Sequence, residues 1–177
     1  EYLSLAYYFT DKHEYADRAA VLLRMWFIDT KTKMNPNLEY AQFVPGQSTG
    51  RSFGIIETRG LARVVDSIGL LANSKAWTKT DQTGVESWFG KFLDWLQTSK
   101  HGIEEANAKN NHGTWYDVQV ASLALFVGKN EVATKLLEAA KQKRVAAQIE
   151  PDGSQPLEIA RTRSLSYSTM NLEAFVL

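Results

Sequence analysis

The chain of 177 residues contains no cysteine, so it forms neither disulfides nor thiolate metal sites. It also lacks net charge, because 20 Lys and Arg balance 20 Asp and Glu. Without an overall field that attracts polyanions, neither nucleic acid nor an anionic membrane is an expected partner. No apolar run is long enough for a membrane-spanning helix. Any attraction to a polyanion must therefore be local.

What the chain does contain is helical periodicity. Apolar residues recur at helical spacing in three stretches, each predicting a helix with one buried stripe: Ala16, Ala19, Ala20, Leu23, Trp26 and Phe27; Leu61, Val64, Val65, Ile68 and Leu71; Val85, Trp88, Phe89, Phe92 and Leu96. Further helices are expected over residues 2–9, 114–127, 130–147 and 166–177, and no stretch alternates as a strand. We therefore predict one all-α domain over residues 1–177. Both chain ends fall inside helical patterns, so we expect it to be truncated at both ends.

Two long segments interrupt this periodicity, residues 30–56 and residues 99–113. Irregular segments of this length are usually functional or disordered, and the aromatic residues of the first argue against disorder. Amide, aromatic and cationic side chains in the first segment suit a sugar-binding subsite: Asn35, Asn37, Tyr40, Gln42 and Arg51. The alternative is that these side chains only satisfy the backbone of their own loop.

The second segment runs into Asn110-Asn111-His112-Gly113-Thr114-Trp115-Tyr116-Asp117, where the apolar pattern resumes at Trp115, Val118, Ser122 and Leu125. This spacing places Asn111 and His112 at a helix N-terminus, where backbone N–H groups favour an anionic ligand. The alternative is that the asparagines cap the helix and the histidine is structural. Trp115 and Tyr116 are either platforms for a sugar ring or core residues, because large aromatics serve both roles.

A third pattern lies near the C-terminus, where Arg161 and Arg163 stand shortly before Tyr167. Taken with the Asn-Asn-His motif and with the segment Met34-Asn35-Pro36-Asn37-Leu38-Glu39-Tyr40-Ala41-Gln42, this pattern resembles the alginate lyase family of polysaccharide lyases. The resemblance runs through nearly the whole chain. It implies an incomplete (α/α) toroid of antiparallel helical hairpins around a deep cleft. It also implies a periplasmic or secreted bacterial protein whose partner is an anionic polysaccharide.

The implied reaction is a β-elimination in a uronate polymer such as alginate, polymannuronate or glucuronan. Removal of the C5 proton beside a carboxylate requires groups that neutralise that carboxylate. By resemblance, Asn111, His112 and Arg161 have this role, although either Arg161 or Arg163 fits the family pattern. Tyr167 is then the base and the acid, since nearby cations favour its phenolate.

The implied chemistry needs no cofactor. Three histidines without His-Glu-x-x-His spacing are too few for a zinc site. The absence of a concentrated carboxylate cluster near the motifs argues against a calcium-dependent reaction. We therefore expect no metal.

Two other functions fit the sequence. A glycoside hydrolase on a helical toroid needs two carboxylates across the cleft, and the candidates are Glu39, Glu57, Asp117 and Glu158. A non-catalytic polysaccharide-binding protein needs none of these groups, and its binding would survive the loss of Tyr167.

Overall fold

Ten α-helices make up most of the chain in the computed structural model, which describes residues 1–177. They are α1 Tyr2–Thr10, α2 His13–Phe27, α3 Leu61–Gly69, α4 Lys79–Thr98, α5 Lys100–Ala106, α6 Asn111–Phe126, α7 Asn130–Ala140, α8 Ala146–Gln148, α9 Pro156–Ile159 and α10 Ser164–Val176. A 3₁₀ helix covers Ser52–Thr58, and a π-helical stretch, Lys141–Val145, joins α7 to α8. No strand forms, and the all-α prediction is confirmed.

Short connections fold successive helices back on each other. Asp11 ends α1 in the left-handed region, with φ 54°, and its N–H donates to the carbonyl of Tyr7 at 2.8 Å. Gly128 has φ 75° in the short turn between α6 and α7, a conformation that glycine adopts without strain. The resulting pairs, α1 with α2 and α6 with α7, pack along their lengths. This arrangement is the predicted incomplete toroid of antiparallel hairpins.

Helix α6 is the central element of the fold. It contacts α3, α4, α5, α7, α10 and the 3₁₀ helix. Most of its residues from Asn111 to Ala124 are buried. Of the positions at which the sequence showed the apolar pattern resuming, Trp115 is buried, Val118 and Ser122 are half-buried and Leu125 is 55% exposed. The polar first turn lies among several neighbouring elements, so contacts from several directions hold it in place.

An aromatic layer joins α2 and α4. The ring of Phe27 lies 4.8 Å from that of Trp88 and 5.1 Å from that of Phe89, measured between centroids. The predicted stripe of α4 is buried throughout, whereas Trp26 of the α2 stripe is 57% exposed. None of the helices has both the length and the apolar content needed to cross a bilayer.

The two segments predicted to be irregular differ from each other in the structure. Residues 28–51 do form a loop, and the Trp88 indole N–H anchors it by donating to the carbonyl of Met34 at 2.7 Å. In the second segment, Lys100–Ala106 forms helix α5, which the sequence analysis missed. The Ser99 hydroxyl caps this helix by accepting from the N–H of Gly102 at 3.0 Å. A helix of seven residues is too short to show a clear apolar period.

Candidate active site

A cavity of about 530 Å³ opens where the loop, the 3₁₀ helix, the start of α6 and the start of α10 meet. Polar and charged side chains line much of it: Gln42, Glu57, Arg59, Asn110, His112, Arg161 and Tyr167, together with Phe53, Ile56 and Met170. A second cavity, of about 390 Å³, lies among α1, α2 and α3 and is mostly apolar. Two guanidinium groups converge on the polar cavity, so it is the one suited to an anionic ligand.

His112 reaches this cavity from the first turn of α6. Asn110 is the N-cap, and its Oδ1 accepts from the backbone N–H of His112 at 3.2 Å. The imidazole is held on one side by a carboxylate, since its Nδ1 lies 2.7 Å from Oε1 of Glu105. On another side the ring of Phe53 meets the imidazole edge to face, with centroids 5.3 Å apart. The backbone and the ring of His112 are therefore both fixed.

Asn111, the neighbouring residue, faces away from the cavity and is fully buried. Its backbone N–H and its Nδ2 both donate to the carboxylate of Glu158, at 2.6 and 2.7 Å. The sequence analysis predicted an anionic ligand at this helix N-terminus, and in the structure a carboxylate of the protein itself lies there. Asn111 joins α6 to α9 and does not line the cavity, and its predicted contact with the substrate carboxylate stays a prediction.

Arg161 and Tyr167 form another part of the cavity wall. The Arg161 guanidinium carbon lies 4.0 Å from the centroid of the Tyr167 ring, which is a cation–π contact. Tyr167 is half-buried in the first turn of α10, and its hydroxyl pairs with no group of the chain. Arg163 is exposed at the N-cap of α10 and does not line the cavity. Of the two arginines left open by the sequence, the structure places Arg161 beside the tyrosine.

The loop and the 3₁₀ helix supply the remaining wall. Gln42 is one of two non-glycine residues with positive φ, at 52°, and its Nε2 donates to Oε1 of Glu57 at 3.1 Å. Gly54 lets the two segments approach, because a Cβ there would lie 2.3 Å from the Cβ of Ala41. Non-glycine residues with positive φ, such as Gln42, are concentrated at functional sites. Gln42, which the sequence predicted to bind sugar, lines the cavity in the structure.

Four other residues predicted to bind sugar do not line the cavity: Asn35, Asn37, Tyr40 and Arg51. Asn37 instead satisfies its own loop, since its Oδ1 accepts from the N–H of Glu39 at 3.3 Å. Tyr40 is 73% exposed on the outside of the same loop. In this structure the loop presents only Gln42 to the cavity.

Of the two alternatives that the sequence left open for Trp115 and Tyr116, the structure supports packing in the core and not a sugar platform. Their exposed fractions are 2% and 6%, so neither ring face can meet a ligand. The indole N–H of Trp115 donates to the carbonyl of Met170 at 3.1 Å, which ties α6 to α10. The Tyr116 hydroxyl donates to the carbonyl of Leu96 at 3.0 Å, and burial raises the pKa of Tyr116 to about 12. Both residues stabilise the central helix.

Several residues of the site escaped the sequence analysis. Arg59 supplies a second guanidinium, held by a hydrogen bond from its Nη1 to the carbonyl of Ile56 at 3.2 Å. Phe53, one of the aromatic residues that argued against disorder in its segment, supplies an exposed ring at the cavity wall. Glu105 lies in the helix that was missed. Arg59 stands two residues before the predicted stripe that begins at Leu61, and no motif marked it.

The carboxylates are distributed unlike those of a hydrolase. Glu57 is the one carboxylate that lines the cavity. Asp117 is paired with Arg144 at 2.7 Å, and Glu158 is occupied by Asn111. Glu39 lies on the exposed part of the loop. No two of the four candidate carboxylates face each other across the cavity, as a glycoside hydrolase requires.

Comparisons with known proteins agree with the geometry. The sequence profile of the family described as alginate lyase matches residues 2–177. A crystal structure of an alginate lyase from Bacteroides ovatus is similar to this chain, with 45% sequence identity and a TM-score of 0.95. The similarity covers 97% of this chain and 46% of the Bacteroides ovatus chain, so this chain spans about half the length of that protein. No protein with a curated description matches the sequence.

Proposed function

Because the chain belongs to the alginate lyase family, we propose that its polar cavity binds a uronate-containing polysaccharide and cleaves it by β-elimination. One observation carries the proposal. His112 and the pair Arg161 and Tyr167, far apart in sequence, line one cavity that also contains Arg59 and only one carboxylate. A cavity with this balance of charge attracts a carboxylate-bearing sugar.

The first chemical requirement is neutralisation of the substrate carboxylate. Loss of the C5 proton places a second negative charge next to that carboxylate, so preorganised cations and donors must stabilise the enolate-like intermediate. The guanidinium of Arg161 and the imidazole of His112 line the same cavity and are suited to bind the carboxylate together. Arg59 adds a second guanidinium on the side of the 3₁₀ helix.

The second requirement is proton transfer, which we assign to Tyr167. Its phenolate oxygen takes the C5 proton, the C4–C5 double bond forms, and the C4–O bond breaks. The resulting phenol then returns the proton to the leaving oxygen. The positive charge of Arg161 above the ring stabilises negative charge on the phenol.

The proposed substrate is alginate or polymannuronate, with glucuronan as a further polyuronate to be tested. In mannuronate-type sugars the C5 proton and the C4 oxygen lie on one face of the ring. A single residue on that face can therefore act as base and then as acid, which matches the one free phenol of this cavity.

The test is incubation of the intact protein with a panel of polyuronates while ultraviolet absorbance and reducing ends are both recorded. The proposal predicts that absorbance from the C4–C5 double bond and reducing ends rise together. Because the neutralising groups are side-chain cations, the rise should persist after exhaustive chelation. Reducing ends without absorbance would indicate a hydrolase, and binding without any product would indicate a binding protein.

A further inference from the structure

Glu105 is a buried carboxylate with a single partner. Its exposed fraction is 1%, and Oε1 lies 2.7 Å from Nδ1 of His112. The other oxygen, Oε2, is buried and has no hydrogen-bond partner. Taking a carboxylate out of water is costly unless it is paired. The buried carboxylate of Glu105 therefore needs a partner that offsets this cost, and the imidazole of His112 is the only side chain that pairs with it.

The position of Glu105 is fixed by contacts around it. Gly102 lies so close to the end of α4 that a Cβ there would be 1.8 Å from the carbonyl oxygen of Leu96. Arg144, 2% exposed, donates to the carbonyls of Ala106 at 2.8 Å and Ala108 at 2.6 Å. The same guanidinium is held by Asp117 of α6. Helix α5 thus has little freedom relative to the first turn of α6.

This geometry bears on which nitrogen of His112 carries the proton. An ionised carboxylate only accepts hydrogen bonds, so beside an ionised Glu105 the short contact requires a hydrogen on Nδ1. The ring nitrogen that carries the proton is set by the hydrogen bond that the other makes. With Nδ1–H directed at Glu105, Nε2 is the nitrogen left for the cavity.

We propose that Glu105 is a positioning residue that keeps His112 in its Nδ1–H form, so that Nε2 is the atom offered to the substrate. When Nε2 gains a proton from solvent, the imidazolium donates to two carboxylates at once, that of Glu105 and that of the bound uronate. The effect of Glu105 on elimination rests on the proposed function. The assignment of the hydrogen to Nδ1 of His112 is independent of that function.

The direct test is ¹⁵N NMR of the imidazole nitrogens in the intact protein, labelled at its three histidines. The His112 signals are assigned by their loss in His112→Gln. In the wild-type protein, at a pH where the ring is neutral, we expect the pattern of an Nδ1–H imidazole. A neutral ring with its hydrogen on Nε2 would overturn the proposal without any variant being needed.

Variants then connect the tautomer to turnover. Glu105→Leu removes the acceptor, so His112 should move toward the Nε2–H form and lose the carboxylate that stabilises its imidazolium. Elimination should then fall by roughly tenfold or more, as for loss of a preorganised donor. Glu105→Gln keeps an acceptor and should retain much of both the Nδ1–H pattern of His112 and the elimination rate. Glu104→Gln, at the exposed neighbouring position, is the matched control and should change neither.

The outcomes separate the two proposals. Unchanged elimination in Glu105→Leu, or an unchanged Nδ1–H pattern in that variant, would overturn the role of Glu105. If the wild-type protein eliminates no polyuronate while His112 shows the expected Nδ1–H pattern, the proposed function fails and the assignment of Glu105 as the partner of His112 stands.

Discussion

The guanidinium of Arg161 stacks on the ring of Tyr167, with the guanidinium carbon 4.0 Å from the ring centroid. This contact orients the tyrosine and places a positive charge beside the phenol. It also bridges α9 and α10, because Arg161 lies just after Ile159, the end of α9, whereas Tyr167 lies in the first turn of α10. The pair is the structural basis of the proposed proton transfer.

The two arginines should differ sharply when each is replaced by lysine. Lysine neither stacks as a planar group nor offers a bidentate fork. Arg161→Lys should therefore lower the elimination rate by roughly tenfold or more, as for loss of a preorganised donor to the developing charge. Arg163→Lys, at an exposed position outside the cavity, is the matched control and should change it little. The initial rate of ultraviolet absorbance change measures both variants, and the reverse ranking would reassign the arginine.

Much of the helical fold follows from the sequence, because a helix that is buried on one side repeats its apolar residues at helical spacing. The stripe Val85, Trp88, Phe89, Phe92 and Leu96 predicted α4 correctly. Helix α6 began where the motif predicted, within a few residues. The sequence failed where that period is absent. Helix α5 is too short to show such a period, and α6 is buried over most of its surface.

The site was less predictable, because its residues are selected by three-dimensional packing. His112, Arg161, Tyr167 and Gln42 were found through motifs, and the structure brings them together. The role of Trp115 stayed open because an aromatic residue has the same pattern whether it packs or binds sugar. The roles of Glu105 and Glu158 could not be predicted, since their partners are set by the tertiary fold. Glu158 is 47 residues away from Asn111 in sequence.

Loss of the carboxylate at Glu158 should destabilise the protein. Glu158→Gln keeps the size of the side chain but leaves the N–H and Nδ2 of Asn111 competing for one acceptor. We expect the free energy of unfolding to fall by about 2–3 kcal/mol, the cost of losing a buried hydrogen bond to a charged group. Urea unfolding measures the change, and the exposed Glu150→Gln is the control. Equal stability of the two variants would show that this carboxylate does not stabilise the start of α6.

The change in the free energy of unfolding at acid pH should depend on Asp81. The hydrogen bond from the Arg24 guanidinium holds the pKa of the Asp81 carboxyl well below its usual range. A lowered folded-state pKa stabilises the protein fully above the unfolded value, near 3.8, and this contribution is lost as the pH falls through the folded value. Asp81→Asn should therefore be less stable at neutral pH and lose less stability on acidification below about pH 4.

The measurement is the free energy of unfolding between neutral pH and acid for the wild-type protein, Asp81→Asn and the exposed control Asp66→Asn. Parallel profiles for the wild-type protein and Asp81→Asn would contradict the assignment of this ion pair.

Replacing Tyr116 should affect stability and not chemistry. Tyr116→Phe removes the hydroxyl that donates to the carbonyl of Leu96, so unfolding should become easier by about 1 kcal/mol. The elimination rate of the folded protein should remain within about twofold of wild type, because the ring lies in the core, where surface and site contacts are not affected. A large loss of elimination with unchanged stability would show that Tyr116 takes part in the site after all.

The measurement closest to the central claim is elimination by Tyr167→Phe, recorded beside a binding isotherm for intact oligouronate on the same preparation. The hydroxyl bonds to no other group of the chain, so folding should be preserved, and the exposed Tyr8→Phe serves as control. Since base and acid are lost together, the rate should fall by about 10²-fold or more. Binding should persist through Arg161 and His112. A variant that keeps more than about a tenth of the wild-type rate would contradict the account.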